Sequence, residues 1–252
     1  AELARTWELL RRAGGTGKAL TATRNQLKGC SSLQDAVERY KQTLAPVDRM
    51  QREFEQRAHA LLGSDLDDYD ALLDVRNAVR RAYRDWADTI NRVFHELCIT
   101  YGALPDRSLR QRAVYDDVVT PLLAQGKVAY VMVDALRFEM AQALAEDLKR
   151  DRYVITLEAR LAELPTITAV GMNALAPAQM LGRLQVIVRD GDISALGSQE
   201  FRISDPESRV RAMSLRVGAP VESIPLEDFQ DMGLPKLKRR LLHKVYLVVV
   251  HS

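Results

Sequence analysis

The run Val128-Ala129-Tyr130-Val131-Met132-Val133 stops on a carboxylate, Asp134, and this junction constrains the fold more than any other feature of the chain. An apolar run of that length, rich in valine, predicts a strand buried on both faces. In open α/β sheets, ligands bind at the carboxyl ends of strands, which is where Asp134 falls. A second segment, Glu163-Leu164-Pro165-Thr166-Ile167-Thr168, leads into a helical stretch predicted over 167–175. A carboxylate at a strand end can hold a hard cation. A threonine hydroxyl at a helix start can meet the same cation and face a phosphate, because free N–H groups and the helix dipole favour anions there. The spacing also admits a plainer account: Asp134 as N-cap of a helix beginning near Leu136, and Thr166 as cap of the next.

The first half reads differently. Leu33, Tyr40, Val47, Phe54 and Leu61 recur every seven residues, with Val37, Leu44 and Ala58 as a second stripe. Leu72, Val79, Tyr83, Trp86, Ile90, Val93 and Leu97 follow at helical spacings. Each set marks one apolar helix face. Gly63-Ser64-Asp65-Leu66-Asp67-Asp68 separates them, which predicts a long antiparallel helical hairpin. Pro46 should kink or interrupt its first arm. Gly14-Gly15-Thr16-Gly17-Lys18 invites a phosphate-loop reading that fails, because Arg12 stands where the motif needs glycine and Ala19 where it needs Ser or Thr. A flexible loop between helices is expected there.

From Val128 the period changes. Strands are expected at 128–133, 153–160, 185–189 and 245–250, with helices at 136–149 and 167–175, an alternation that argues for an α/β layer with a mostly parallel sheet. Residues 190–240, punctuated by Gly and Pro, read as an insertion or cap beside the site. The expected division is a helical region over 1–125 and an α/β domain over 126–252.

Composition sets limits. In 252 residues, 47% are hydrophobic and 28% charged, ample for a core in a soluble protein. A net charge of +2 argues neither for nor against nucleic acid. No apolar run is long enough to span a membrane. The start lacks a signal-peptide core and an initiator Met, as expected of a piece of a longer protein. Cys30 and Cys98 have no partners at metal spacing, which fits reduced thiols in a cytoplasmic protein.

Val-Asp-Ala-Leu-Arg-Phe-Glu-Met at 133–140 and Leu-Pro-Thr-Ile-Thr-Ala-Val-Gly-Met-Asn-Ala-Leu-Ala-Pro at 164–177 closely resemble the PglZ domain of bacterial phage-defence (BREX) systems. That domain is similar to a branch of the alkaline phosphatase superfamily, whose phosphodiesterases carry Asp-Gly-Phe-Arg after the first strand and Pro-Thr-Phe-Pro before a helix. The resemblance implies that Asp134 binds one of two metal ions and that Thr166 is the nucleophile, with Thr168 as the alternative. It implies two Zn²⁺, or Mn²⁺, in a metal-dependent phosphoester hydrolase of the phosphodiesterase kind. It also implies partners: a PglX-like DNA methyltransferase and other defence-complex subunits. The late strand 245–250 resembles one that, in the superfamily, runs into an Asp-His metal pair. The domain is therefore expected to be the first part only, with remaining ligands after Ser252.

Thr168 otherwise reads as satisfying a first-turn N–H. Arg137 can clamp a phosphate or pair with Glu139. Glu139 and Asp147 read as solvated helix faces, and Gly171 as allowing close helix–sheet packing. Asp190 and Asp192 flank Gly191 as in a turn. His251, at the strand tip, is a further candidate metal ligand, whereas His59 and His95 belong to the helical half and His243 to a basic helix end. Two rival functions stay open. One is a catalytically silent scaffold that docks the methyltransferase through the hairpin. The other is a DNA-binding subunit that uses Lys236 to Arg240.

Overall fold

The computed structural model describes residues 2–61, 68–102, 105–176, 185–198, 201–203, 206–241 and 247–251. In chain order its helices are α1 (Glu2–Thr23), α2 (Leu33–Arg39), α3 (Ala45–Leu61), α4 (Tyr69–Tyr101), α5 (Thr120–Leu123), α6 (Phe138–Arg150), α7 (Thr168–Leu175), α8 (Pro206–Val217), α9 (Leu226–Asp231) and α10 (Leu234–Leu241). Its strands are β1 (Val128–Met132), β2 (Gln185–Arg189), β3 (Asp192–Ser198), β4 (Phe201–Ile203), β5 (Val221–Pro225) and β6 (Leu247–His251). The chain forms two compact units: residues 1–105 with 137–159, and residues 106–136 with 160–252. The units therefore do not divide at residue 125.

The first unit is helical. The seven-residue repeat lands in its core, with Leu33, Val47, Phe54 and Leu61 buried and Val37, Leu44 and Ala58 beside them. Leu9, Phe54, Ala58, Leu61, Leu72 and Val79 form one cluster from α1, α3 and α4. Leu20, Leu27, Leu44, Val47, Trp86 and Ile90 contribute to a second. The turn expected at Gly63–Asp67 lies outside the described residues. Pro46 has no N–H for the Gln42 carbonyl, and a π-helical turn, Tyr40–Leu44, stands at that point between α2 and α3. Gly14 to Lys18 is not a loop: these residues continue α1, with Thr16 buried and Met50 packed near Gly15.

The second unit holds the parallel sheet, in the order β1-β6-β5. Strand β6 is central and buried on both faces. Leu247 and Val249 join Met132, Met172, Met213, Val221 and Tyr115 on one face. Val248 and Val250 meet Ile224 on the other, with Phe229, Met232 and Leu237 packed against them. Strand β1 departs from expectation. It pairs with β6 alone among the described strands, and Ala129 and Val131 face outward, Val131 at 49% exposure. A valine-rich run is buried twice over only when neighbours cover both its faces, and that position belongs to β6.

Two further expectations fail. Residues 153–160 form no strand; Tyr153 and Val154 are 62% and 100% exposed, and the ladder is limited to one bridge between Arg110 and Leu161. Alternating apolar residues make a strand only where a partner offers hydrogen bonds. Residues 190–240 are not simply an insertion, because β5 completes the parallel sheet. The sheet β1-β6-β5 is parallel throughout, as expected, and β2, β3 and β4 form a separate antiparallel ribbon turning at Asp190-Gly191, both with positive φ. Cys30 and Cys98 are free thiols. Among the described residues, no helix is long and apolar enough to cross a membrane.

Candidate active site

The parallel register brings the carboxyl ends of β1, β6 and β5 to one edge, with Met132 opposite His251 and His251 opposite Pro225. Asp134 lies two residues past the end of β1 in a tight turn. It is not a helix cap, because α6 begins only at Phe138, with Arg137 at the cap position. Asp134 Oδ1 accepts the N–H of Ala135 at 2.9 Å, and Ala135 is held at φ 52°. A side-chain-bearing residue in this left-handed region is strained by roughly 1 kcal/mol. The superfamily sequence Asp-Gly-Phe-Arg has glycine at the corresponding position, which suits such a φ.

The other oxygen meets a threonine. Thr168 Oγ1 donates to Asp134 Oδ2 at 2.8 Å, across 34 residues of sequence. Thr168 is the first residue of α7, and the cap position is held by Ile167, which makes no side-chain cap bond. The hydroxyl thus turns toward the carboxylate rather than satisfying a first-turn N–H. Thr166 is exposed two residues upstream, before the helix and after the cis peptide Leu164–Pro165. The structure brings together Asp134 and Thr168, the threonine that sequence placed second.

The threonine segment is fastened from the region preceding β1. The Arg112 guanidinium forks onto the Glu163 carboxylate, Nε to Oε1 at 2.6 Å, with Nη2 on the second oxygen. These bonds hold the Glu163 carboxyl below its ordinary range. Gln111 accepts the Glu163 N–H at 2.9 Å and donates to the Gly171 carbonyl at 3.4 Å. Gly171 therefore meets Gln111, where a Cβ would stand 3.6 Å from Nε2, rather than the sheet. On α7, buried Asn173 accepts from Arg209 Nε at 3.1 Å.

The remaining candidates are less central. His251 ends β6; burial and then the charge of Arg209 hold its pKa below the ordinary value, which favours the neutral imidazole that binds metals. Arg137 Nη2 stands 2.8 Å from Glu139 Oε1 as an ion pair. Glu139 is not a solvated helix face, since it is fully buried and Arg52 Nε reaches Oε2 at 2.9 Å. Asp147 is solvated, paired with Arg150. His243 lies outside the described residues. In the basic segment, Lys236, Lys238 and Arg239 are exposed, while Arg240 bonds to Glu222 and the Ser223 carbonyl.

The oxygens of Asp134 and Thr168 are hard donors that suit a divalent cation, and an imidazole from the neighbouring strand suits Zn²⁺ or Mn²⁺. Among the described residues, no group of three or more His, Cys, Asp or Glu gathers to complete a centre. Asp134 and Thr168, joined by their hydrogen bond, supply two oxygens of the kind such a sphere uses.

A parallel sheet with an acid past one strand end, and a hydroxyl at a helix start beside it, defines an α/β domain with its candidate site on the carboxyl edge. Residues 114–245 match the BREX system PglZ alkaline phosphatase-like domain, more than half of the chain, and the chain belongs to that family. It is 28% identical over 126 residues to the alkaline phosphatase-like protein BrxZ of Escherichia coli O9:H4 (strain HS). That stretch is 48% of this chain and 14% of the relative, so the chain spans a small part of the relative's length.

Proposed function

We propose that this chain carries the Asp134 and Thr168 part of a metal-dependent phosphoester hydrolase, a phosphodiesterase by class, acting in the cytoplasm within a bacterial phage-defence system. The observation that carries the reading is the 2.8 Å bond from Thr168 Oγ1 to Asp134 Oδ2. An unassisted threonine hydroxyl is a poor nucleophile. Asp134 Oδ2 holds its proton and turns the oxygen lone pairs away from the carboxylate. The uncapped start of α7 offers N–H groups and the positive end of its dipole to a phosphate. A divalent metal, Zn²⁺ or Mn²⁺, held by Asp134 and Thr168 with His251 as a further ligand, would lower the hydroxyl pKa and neutralise phosphate charge. We assign no phosphate contact to Arg137, which Glu139 engages. The family context supports a PglX-like DNA methyltransferase and other defence subunits as partners, with the helical unit as the docking region.

The test is hydrolysis of bis(4-nitrophenyl) phosphate by the full-length protein, of which residues 1–252 are the part described, with Zn²⁺, Mn²⁺, Mg²⁺ or chelator. Metal-dependent turnover that falls about 10³-fold in Asp134→Ala supports the reading. No turnover from folded protein with any metal would favour the scaffold.

A further inference from the structure

We propose that Gln111 is a positioning residue that holds the Thr168 hydroxyl within reach of Asp134; this rests on the site reading above. Thr166 and Thr168 lie on a short segment bracketed by Glu163 and Gly171, and one side chain grips both ends of it. Gln111 Oε1 accepts the Glu163 N–H at 2.9 Å, and Nε2 donates to the Gly171 carbonyl at 3.4 Å. The Gln111 backbone adds a third tie, its N–H donating to the Leu161 carbonyl at 3.3 Å, while the Leu161 N–H reaches Leu109 at 2.8 Å. Gly171 lies in the first turn of α7, the turn that Thr168 opens.

The chemistry selects glutamine. The position needs an acceptor toward Glu163 and a donor toward Gly171 from the same planar group. A carboxylate lacks the donor, an ammonium lacks the acceptor, and an apolar side chain lacks both. A glutamate would also place a second negative charge near Glu163. With the grip released, the α7 start is free to shift, and a misplacement on the order of 1 Å lowers a rate about 10²-fold. Arg112, which takes the Glu163 side chain, secures one end of the segment, whereas Gln111 spans it.

The experiment uses the full-length protein, with Gln111→Met and Gln111→Glu beside wild type, each shown to be folded by thermal unfolding. Hydrogen exchange over residues 163–171 should accelerate about tenfold in both variants, with β6 unchanged. With bis(4-nitrophenyl) phosphate and Zn²⁺ or Mn²⁺, kcat should fall about 10²-fold, with KM within about twofold of wild type. Adding Gln111→Met to Thr168→Ala should lower the rate no further, because Gln111 acts through that hydroxyl. Unchanged exchange overturns the proposal whatever the turnover. Unchanged kcat beside an active wild type, or additive losses in the double variant, overturns it as well. A wild type inert with every metal, beside accelerated exchange in the variants, retires the hydrolase reading and leaves the hold of Gln111 on the segment standing.

Discussion

Arg52 donates through Nε, at 2.9 Å, to Glu139, a carboxylate with no exposed side-chain surface. Arg137 stands 2.8 Å from the other oxygen as an ion pair without hydrogen-bond geometry. Breaking a buried ion pair from one side leaves an uncompensated charge, at about 3–5 kcal/mol. Because Arg137 remains, Arg52→Ala should cost less, about 2–3 kcal/mol. Urea denaturation should show this loss, and most of it should disappear when Glu139 is also replaced by Gln.

Asp48 predicts a pH dependence. Its carboxyl accepts from Tyr40 Oη at 2.6 Å and Tyr83 Oη at 2.8 Å. Burial pushes its pKa above the ordinary value despite those bonds, and burial, then the charge of Asp48, pushes both phenols up. Where the folded pKa exceeds the unfolded one, the contribution is fully present below the unfolded value and is lost as pH rises through the folded one. Asp48→Asn should therefore remove a downward slope of stability that begins above about pH 4. Denaturation midpoints from pH 3 to pH 7 check this, and a wild-type slope identical to that of the variant would contradict it.

Glu163 has the opposite sign. The Arg112 fork lowers its pKa, so its contribution is present above the ordinary glutamate value and is lost as pH falls through the lowered one. Exchange over residues 163–171 should accelerate as pH drops below about 4, after correction for intrinsic rates. Arg112→Ala should show that acceleration already at neutral pH.

Ala135, at φ 52°, is the strained link beside Asp134. Ala135→Gly relieves the strain and adds freedom to the unfolded chain, so stability should change by less than about 1 kcal/mol. Ala135→Val should cost about 1–2 kcal/mol, because a β-branched residue tolerates this region poorly. Thermal unfolding of the pair distinguishes them.

Much of this was legible in sequence. The repeat from Leu33 to Leu61 and the stripe from Leu72 to Leu97 correctly picked out helix faces, because an amphipathic period follows from burying one side. The position of strand β1 and the C-terminal ends of α6 and α7 were legible from local pattern. Strand β5 was not: Val221-Glu222-Ser223-Ile224-Pro225 buries only Val221 and Ile224, leaving too little apolar signal. Helix α1 was obscured by three glycines whose helical state is set by packing against α3 and α4. The choice between Thr166 and Thr168 depends on which hydroxyl faces a carboxylate 34 residues away. Burial of Glu139 and the grip of Gln111 depend likewise on residues distant in sequence, and nothing local marks them.

In the proposed reaction the Thr168 hydroxyl, held by Asp134, attacks phosphorus. The decisive measurement is metal-dependent hydrolysis of bis(4-nitrophenyl) phosphate by the full-length protein, comparing Thr168→Ala with Thr166→Ala. The account predicts a loss of about 10³-fold in Thr168→Ala and less than about tenfold in Thr166→Ala. Near-normal turnover in Thr168→Ala, with turnover abolished in Thr166→Ala, would contradict it and return the role to Thr166.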